Sequence, residues 1–350
     1  MSCVGEQFGM EFSLEEIAGC RKAQGLLSME LELSRLCDLR CLYCYAASGK
    51  ALENELSLDE IRFIIDEAIG LGVKKIIVLG GGEPLLYPHL MDVLEYLRGR
   101  NLVVDLFTNG QTLNRELADK LFALGVGVAL KMNSRIPGVQ DRLAGRKGAH
   151  EAIGRALENL QTAGYPDSDH LLAIETIICS QNIAELPGMW RWARQNGIVP
   201  YFESITMQGR AVEYRELEVG QEQLKKLFKE LACIDREEFK RSWTPHPPLV
   251  GSHCARHEYS CTVTSTGEVH PCPGVDVSGG SIRHTSLADI VRTSRIFRDL
   301  RNIRDTIKGH CAICELGEVC YGCRGHAYQV TGDYLAEDPI CWLKHPPSNS

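Results

Sequence analysis

The sequence predicts an α/β fold, six strand-helix units with parallel strands, followed by a small cysteine-rich second region. Three observations point there. Short apolar runs alternate with longer stretches of helical periodicity from Met29 to Leu231, the pattern of parallel strands joined by crossover helices. Beyond a proline-rich break, eight of the 15 cysteines fall between Cys254 and Cys341. The first strand also runs straight into Cys37, Cys41 and Cys44, spaced as Cx3Cx2C.

Taken in order, Ser13 and Glu16 have capping-box spacing ahead of Ile17, so a short helix precedes the main unit. Met29, Leu31 and Leu33 alternate with Glu30 and Glu32, which reads as a half-buried strand. Ser57 and Glu60 open a helix with Leu58, Ile61, Ile65 and Ala68 on one face, and Gly70 and Gly72 close it. Ile76 to Leu79 is a buried strand. The rhythm then repeats: helix 90–97, strand 103–107, helix 117–124, strand 128–132, helix 149–160. Strands 171–179 and 200–206 flank a helix with Trp190 and Trp192, and helix 221–231 ends the series. Each crossover demands parallel neighbours and a right-handed connection. A barrel and a doubly wound sheet fit this alternation equally. Trp243 to Pro248 then reads as a stiff linker.

At 350 residues the chain is long enough for one large domain and one small one. So many cysteines would suggest disulfides in a short secreted protein, but this chain is long and opens without a secretion signal, with Glu6, Glu11, Glu15 and Glu16 near its start. No apolar run approaches membrane-spanning length. A cytoplasmic protein with reduced thiols is expected, with no membrane partner. A net charge of -8 and a pI near 5.8 argue against nucleic acid.

Three thiolates from one short loop suit a soft metal, and each can hold one iron of a 4Fe-4S cube, leaving the fourth iron without a local ligand. A structural zinc site is the alternative. It needs a fourth ligand, and neither a Cys nor a His lies nearby. Ser34 to Tyr45, with aromatic Tyr43 before the last cysteine, resembles the signature of the radical S-adenosylmethionine (radical SAM) superfamily. The resemblance implies a (β/α)6 partial TIM barrel, open on one side, with the chemistry at the C-terminal ends of the strands. It implies a 4Fe-4S cluster on Cys37, Cys41 and Cys44, with S-adenosylmethionine on the open iron.

The second strand ends in Gly80-Gly81-Gly82-Glu83-Pro84, where glycines let backbone approach a ligand closely. On its own this is a glycine-rich turn with an acid opening a helix. Gly81, Gly82 and Glu83 match the GGE motif of the family, which contacts the amino group of SAM. Thr108, Asn109 and Ser134, at the ends of the third and fourth strands, resemble family positions near the ribose and carboxylate of SAM. Each is equally a simple turn. Arg142 and Arg146 are candidate carboxylate partners or solvated loop charges, and Met207-Gln208 meets adenine or fills core.

Thr262 to Thr264 and Glu268 to His270 flank Ser265-Thr266-Gly267 as a hairpin. Cys311-x2-Cys314-x5-Cys320-x2-Cys323 follows, with Cys341 beyond. Zinc ribbons separate their two CxxC pairs by roughly 15 to 20 residues, so iron-sulfur usage fits better. With Cys254-x12-Gly267-x4-Cys272, this run resembles the SPASM domain, which carries two auxiliary 4Fe-4S clusters. That resemblance assigns Cys254, Cys261, Cys272 and Cys323 to one cluster and Cys311, Cys314, Cys320 and Cys341 to the other. Cys3, Cys20, Cys179 and Cys233 are left as ordinary thiols. The expected organisation is a helical extension over 1–25, the radical SAM barrel over 26–235, a linker over 236–252, the SPASM domain over 253–345 and a tail over 346–350.

The resemblance implies reductive cleavage of SAM to a 5'-deoxyadenosyl radical that abstracts hydrogen from a substrate, with an electron donor such as flavodoxin or ferredoxin. The acid or base that assists is not legible. Peptide- or protein-modifying maturases share this build, and a peptide or protein side chain is the expected substrate. Pro273 stands where sulfatase maturases place an acid, which weakens a formylglycine assignment, and the stretch before Leu26 is too short for a leader-binding domain. The alternative is removal of tetrapyrrole side chains in haem or haem d1 synthesis, because Cys320 to Tyr328 and Gly332 to Pro339 resemble the ending of such enzymes. His246, His253, His257 and His270 are then candidate substrate contacts, or linker and cluster-shell residues. A non-catalytic iron-sulfur electron carrier is the third reading, but it has no need of Gly81-Gly82-Glu83 or an open iron.

Overall fold

The computed structural model describes residues 11–343. The proposed tail over 346–350, Cys3 and Glu6 lie outside them. Helix α1 (Leu14–Ala23) opens on the expected capping box, with Glu16 Oε2 accepting from the Ser13 backbone at 2.9 Å. There follow β1 (Ser28–Glu32), α2 (Leu58–Gly70), β2 (Lys75–Leu79), α3 (Leu90–Gly99), β3 (Val103–Thr108) and α4 (Arg115–Ala123). Next come β4 (Gly127–Lys131), α5 (Pro137–Ala144), α6 (Ala149–Ala163), β5 (Leu172–Ile178), α7 (Leu186–Gln195), β6 (Val199–Ser204) and α8 (Gln221–Glu238).

Strands β1 to β6 are all parallel and lie in sequential order. A doubly wound sheet reverses its order at a switch point; this one does not. The sequential order selects the partial barrel. The sheet continues past β1 with β7 (Ser260–Val263), parallel to it, and β8 (Val269–His270), antiparallel to β7. The hairpin expected around Gly267 is therefore present, and it extends the barrel sheet. Gly267 turns at φ +88, where a Cβ would also crowd Ile282 at 3.0 Å.

Strand alternation gives the sheet two apolar layers. Met29, Leu31, Ile76, Val78, Val104, Leu106, Val128 and Leu130 face outward into the helix layer. Ile77, Phe107, Ala129, Ala173 and Tyr201 face the barrel interior. The first strand differs from expectation: all five residues of β1 are buried. Its acids face a protein-lined interior, where Glu30 accepts from Thr262 Oγ1 at 2.6 Å and Glu32 from Tyr45 Oη at 2.8 Å.

Helix α8 runs past Leu231 because Asp235, fully buried, accepts from Trp190 Nε1 at 2.7 Å, Trp243 Nε1 at 2.9 Å and Arg194 Nη2 at 3.0 Å. That hub ties α7, α8 and the proline segment together. The last part of the described chain adds α9 (Leu287–Thr293), α10 (Arg295–Arg301), α11 (Ile303–Thr306) and α12 (Arg324–Thr331) around the cysteine loops. Among the described residues, no helix is long and apolar enough to cross a membrane.

Candidate active site

The Cx3Cx2C loop leaves β1 at the C-terminal end of the barrel and is seated by two elements. The end of α5 accepts from the loop backbone, Arg40 N to Ala144 O at 3.1 Å and Leu42 N to Leu143 O at 2.9 Å. Gly145 makes this approach possible, since a Cβ there would meet Arg40 O at 2.3 Å. The turn after β6 closes the other side. Arg210 donates its backbone N–H to Cys44 O at 2.9 Å and its guanidinium to Cys41 O and Ser48 O, both at 2.8 Å. Neither α5 nor Arg210 was legible in the sequence. Helix α5 is eight residues long with a proline in its first turn, and Arg210 lies far from the loop in the chain.

Burial pushes the Cys37 thiol up to about 11 and the Cys41 thiol up to about 12. Binding a metal here means releasing protons. Tyr43 lies beneath Lys131, whose Nζ is 4.8 Å from the ring centroid.

The glycine-acid turn packs directly on this loop. Glu83 N donates to Leu36 O at 2.7 Å, and a Cβ on Gly82 would meet the same oxygen at 2.1 Å. Gly81 sits against Glu32 Oε2, which a Cβ would approach to 2.6 Å. Glu83 is 3% exposed and its carboxylate is already engaged, accepting from Thr108 Oγ1 at 2.6 Å, Asn109 N at 2.7 Å and Leu85 N at 3.0 Å. It therefore bolts the end of β3 to the end of β2. Asn109 Nδ2 reaches Asp38 Oδ1 at 2.9 Å, and Arg146 reaches Asp38 Oδ2 at 2.9 Å. Thr108 and Asn109 thus stand beside Cys37. Ser134 does not join them: it is fully buried, with N–H donated to Gln140 Oε1 at 3.0 Å and its hydroxyl to Glu185.

Cys37, Cys41, Tyr43, Cys44, Gly82, Glu83, Thr108 and Asn109 line a cavity of about 280 Å³, and Asp38, Arg146, Arg210, Gly81 and Ser134 stand outside its wall. Deeper in the barrel its wall holds Lys131, Glu175 and Glu203, with Lys131 bonded to Glu175. Burial, then the neighbouring Glu175, raises the Glu203 carboxyl well above the usual carboxylate range. These three were missed because each is a lone charge in an apolar strand. The wall also has a C-terminal part, Cys254, Cys272 and Cys323 with Arg256 and His257, and Gln208 joins it from the turn after β6. Of the other sequence candidates, His246 stacks on His253 with centroids 4.5 Å apart, and Met207 packs in a side cluster with Cys179 and Ile205.

The C-terminal cysteines fall into groups. Cys323 raises both Cys254 and Cys272, while Cys311 and Cys314 raise Cys320, and Cys311 and Cys320 raise Cys341; Cys320 also raises Cys254, so the two groups adjoin. Cys261 belongs to neither, lying 1% exposed on β7 in the outer apolar core. Cys20 and Cys179 are buried, and every cysteine among the described residues is a free thiol.

No three of the described His, Cys, Asp and Glu side chains gather around a single ion position, but six soft, free thiols line one cavity, and a cube takes one thiolate per iron; this donor set fits iron-sulfur clusters, with the cavity beside them for a cofactor. Residues 31–193 match the family model of the radical SAM superfamily, and residues 254–323 match SPASM, an iron-sulfur cluster-binding domain. The AdoMet-dependent heme synthase of Methanosarcina barkeri is 32% identical over 336 residues, covering 89% of this chain and 94% of that protein. The chain belongs to the radical SAM superfamily. This radical SAM enzyme is also 29% identical to the mycofactocin maturase MftC of Mycolicibacterium smegmatis, over 89% of its own length and 81% of the relative's. Its fold is that of SuiB from Streptococcus suis bound to S-adenosylmethionine, with a TM-score of 0.70, 15% identity and coverage of 94% and 80%. It is shared with anSMEcpe bound to AdoMet and a peptide, with a TM-score of 0.66, 15% identity and coverage of 89% and 93%. As a member of the family it takes a 4Fe-4S cluster and S-adenosylmethionine in the barrel and further iron-sulfur chemistry in the SPASM domain.

Proposed function

We propose that the enzyme oxidises a carboxylate-bearing substrate by hydrogen abstraction in the shared cavity, and that a tetrapyrrole side chain is the group attacked. The observation that carries this is the convergence of Cys37, Cys41 and Cys44, the Gly82-Glu83 turn and the SPASM cysteines Cys254, Cys272 and Cys323 on one cavity. Tetrapyrrole is favoured over peptide by the 32% identity to a heme synthase across 94% of that relative. The peptide reading is favoured in turn by MftC at 29%. When bound, the clusters and SAM supply a 5'-deoxyadenosyl radical and an acceptor for the electron that net oxidation leaves behind.

The chain's residues do the rest. Cys37, Cys41 and Cys44 hold the SAM cluster; Cys311, Cys314, Cys320 and Cys341 hold one auxiliary cluster, and Cys254, Cys272 and Cys323 serve the other. Gly81 and Gly82 let the turn pack against Glu32 and Leu36 so that its backbone lies at the cavity for the SAM amino group, with Glu83, Thr108 and Asn109 fixing that turn. Tyr43 and Lys131 close the floor. Glu203, whose carboxyl burial and the neighbouring Glu175 raise well above the usual carboxylate range, lines the cavity wall with Lys131. Ser134 shapes the end of β4 through Gln140 and Glu185. A small acidic redox protein of the flavodoxin or ferredoxin type delivers the electron.

The test is anaerobic reconstitution with SAM and dithionite, followed by iron-coproporphyrin III. Formation of 5'-deoxyadenosine is expected, rising several-fold with the tetrapyrrole, with a tetrapyrrole product of lower mass. Intact clusters without any deoxyadenosine would sink the radical reading. Deoxyadenosine formation that the tetrapyrrole leaves unchanged would sink the substrate assignment.

A further inference from the structure

A second cavity, of about 380 Å³, shares no wall residue with the one the cysteines line. It sits at the other end of β1. Arg301, in its wall, donates from Nη2 to Gly25 O at 2.6 Å, ahead of the N-terminal end of the strand, whereas the Cx3Cx2C loop leaves the C-terminal end. Five of the lining side chains are cations: Arg21 and Lys22 from α1, Arg292 from α9, and Arg298 and Arg301 from α10. Among the described residues no Asp or Glu lines it. In a chain of net charge -8 this is a local reversal of sign, and such a pocket draws anions to its mouth.

Arg301 sets the cavity apart from a solvated patch of charge. The other four cations are exposed, but Arg301 is only 9% exposed, and its Nε and Nη1 have no hydrogen-bond partner. Buried donors are normally paired, and a buried charge without a partner is costly. The fold supplies no counter-charge. Burial lowers the Arg301 pKa, the Cys20 and Cys261 thiols oppose this, and Arg292, of like sign, lowers it further. Both thiols are themselves raised by burial, Cys261 to about 12, so they stay neutral beside the guanidinium. At the rim, Arg21 is partly engaged, with Nη1 3.2 Å from Glu258 Oε2. Lys22, Arg292 and Arg298 make no ion pair among the described residues.

We propose that this cavity binds the diphosphate group of a small molecule, with Arg301 as its floor and Lys22, Arg292 and Arg298 closing on it from the rim. Guanidinium forks match phosphate oxygens two at a time, and Arg301 has two donors waiting. Four cations without an ion-pair partner call for more negative charge than a single carboxylate carries. The volume holds more than one phosphate and falls at the small-ligand end of the usual range of binding cavities. An acidic protein face would meet the rim but not the recessed Arg301, which favours a small ligand. Bound there, the ligand joins α1 to α9 and α10 and braces the start of β1, away from the site of chemistry. The proposal does not depend on which substrate occupies the cysteine-lined cavity.

The test is anaerobic calorimetric titration of the reconstituted full chain, at fixed ionic strength and with saturating SAM to occupy the other cavity. The probes are inorganic pyrophosphate and, separately, ADP. Saturable binding at one ligand per chain is expected with both, and iron content should not change. Arg292→Gln combined with Arg298→Gln should weaken binding about tenfold or more, since each loses charge-assisted hydrogen bonds. Both side chains are exposed, so this variant should keep its fold, its iron and its deoxyadenosine formation without pyrophosphate. Arg301→Lys should weaken binding too, because the ammonium keeps the charge but loses the fork. Pyrophosphate binding as tight as that of ADP assigns the diphosphate alone; tighter ADP binding that the rim variant also loses adds a nucleoside to the ligand. Three results overturn the proposal: no saturable binding of either probe, binding that the rim variant leaves unchanged, or binding that sulfate at equal ionic strength abolishes. Capture of a flavodoxin-type protein by these arginines, with no heat from pyrophosphate, would also overturn it and make the rim a docking surface.

Discussion

Replacing Arg210 with alanine should unseat the Cx3Cx2C loop without touching any cysteine. The guanidinium donates to Cys41 O and Ser48 O, both at 2.8 Å, while the backbone N–H to Cys44 O survives the substitution. Hydrogen bonds from a charged donor contribute about 1.5–3 kcal/mol each, and discounting two of them for the half-buried setting leaves about 2–4 kcal/mol. If the loop must open before iron escapes, that corresponds to roughly 30- to 1,000-fold faster loss. The assay is the rate of iron release to a chelator from reconstituted protein, read beside circular dichroism to show that the fold is intact. Arg210→Lys should recover part of the difference, because an ammonium reaches one carbonyl but lacks the planar fork. If Arg210→Ala releases iron at the rate of the unmodified protein, the clamp is idle and the reasoning fails.

Cys41→Ala should abolish 5'-deoxyadenosine, whereas Cys314→Ala should spare SAM cleavage and lose substrate turnover, both read by chromatography. Asp235→Ala should destabilise the chain by about 3–5 kcal/mol in urea unfolding, because it removes from a buried hub the acceptor shared by two indole N–H groups and the Arg194 guanidinium. A loss below about 1 kcal/mol would contradict the hub. The raised pKa of Glu203 means the folded state holds a proton that the unfolded state has released. The stability it contributes is full below the ordinary carboxylate range and is lost as pH rises through the raised value. Metal-free Glu203→Gln should therefore show a flatter decline in unfolding free energy between about pH 5 and about pH 8 than the unmodified chain; parallel curves would place the titration elsewhere.

The strand-helix rhythm was legible because each outer face repeats an apolar period over many residues, as in Met29 and Leu31 or Val104 and Leu106. The capping boxes at Ser13 and Ser57 were legible for a local reason: three residues carry the whole signal. Barrel and doubly wound sheet separate only through long-range strand order, which no local window contains. The same limit hid Arg210 and α5, whose roles exist only against the cysteine loop, and Lys131, Glu175 and Glu203, whose strands look like ordinary buried ones. Cys261 shows the converse. Its spacing invites ligation, while its place in the pleat turns it away, and parity within a strand depends on a pairing partner more than 200 residues distant.

That pairing has a further consequence. Because β7 lies against β1, the strand that launches the Cx3Cx2C loop has neighbours on both sides, β2 on one and the C-terminal hairpin on the other. Cutting the chain before Ser260 would strip β1 of one neighbour and leave its backbone groups open to pairing with another molecule. It would also deprive Glu30 of Thr262 inside the barrel. The two family domains are thus not interchangeable parts: a hybrid grafted at the proline segment would have to restore this seam, register included, before it could seat a cluster at either end.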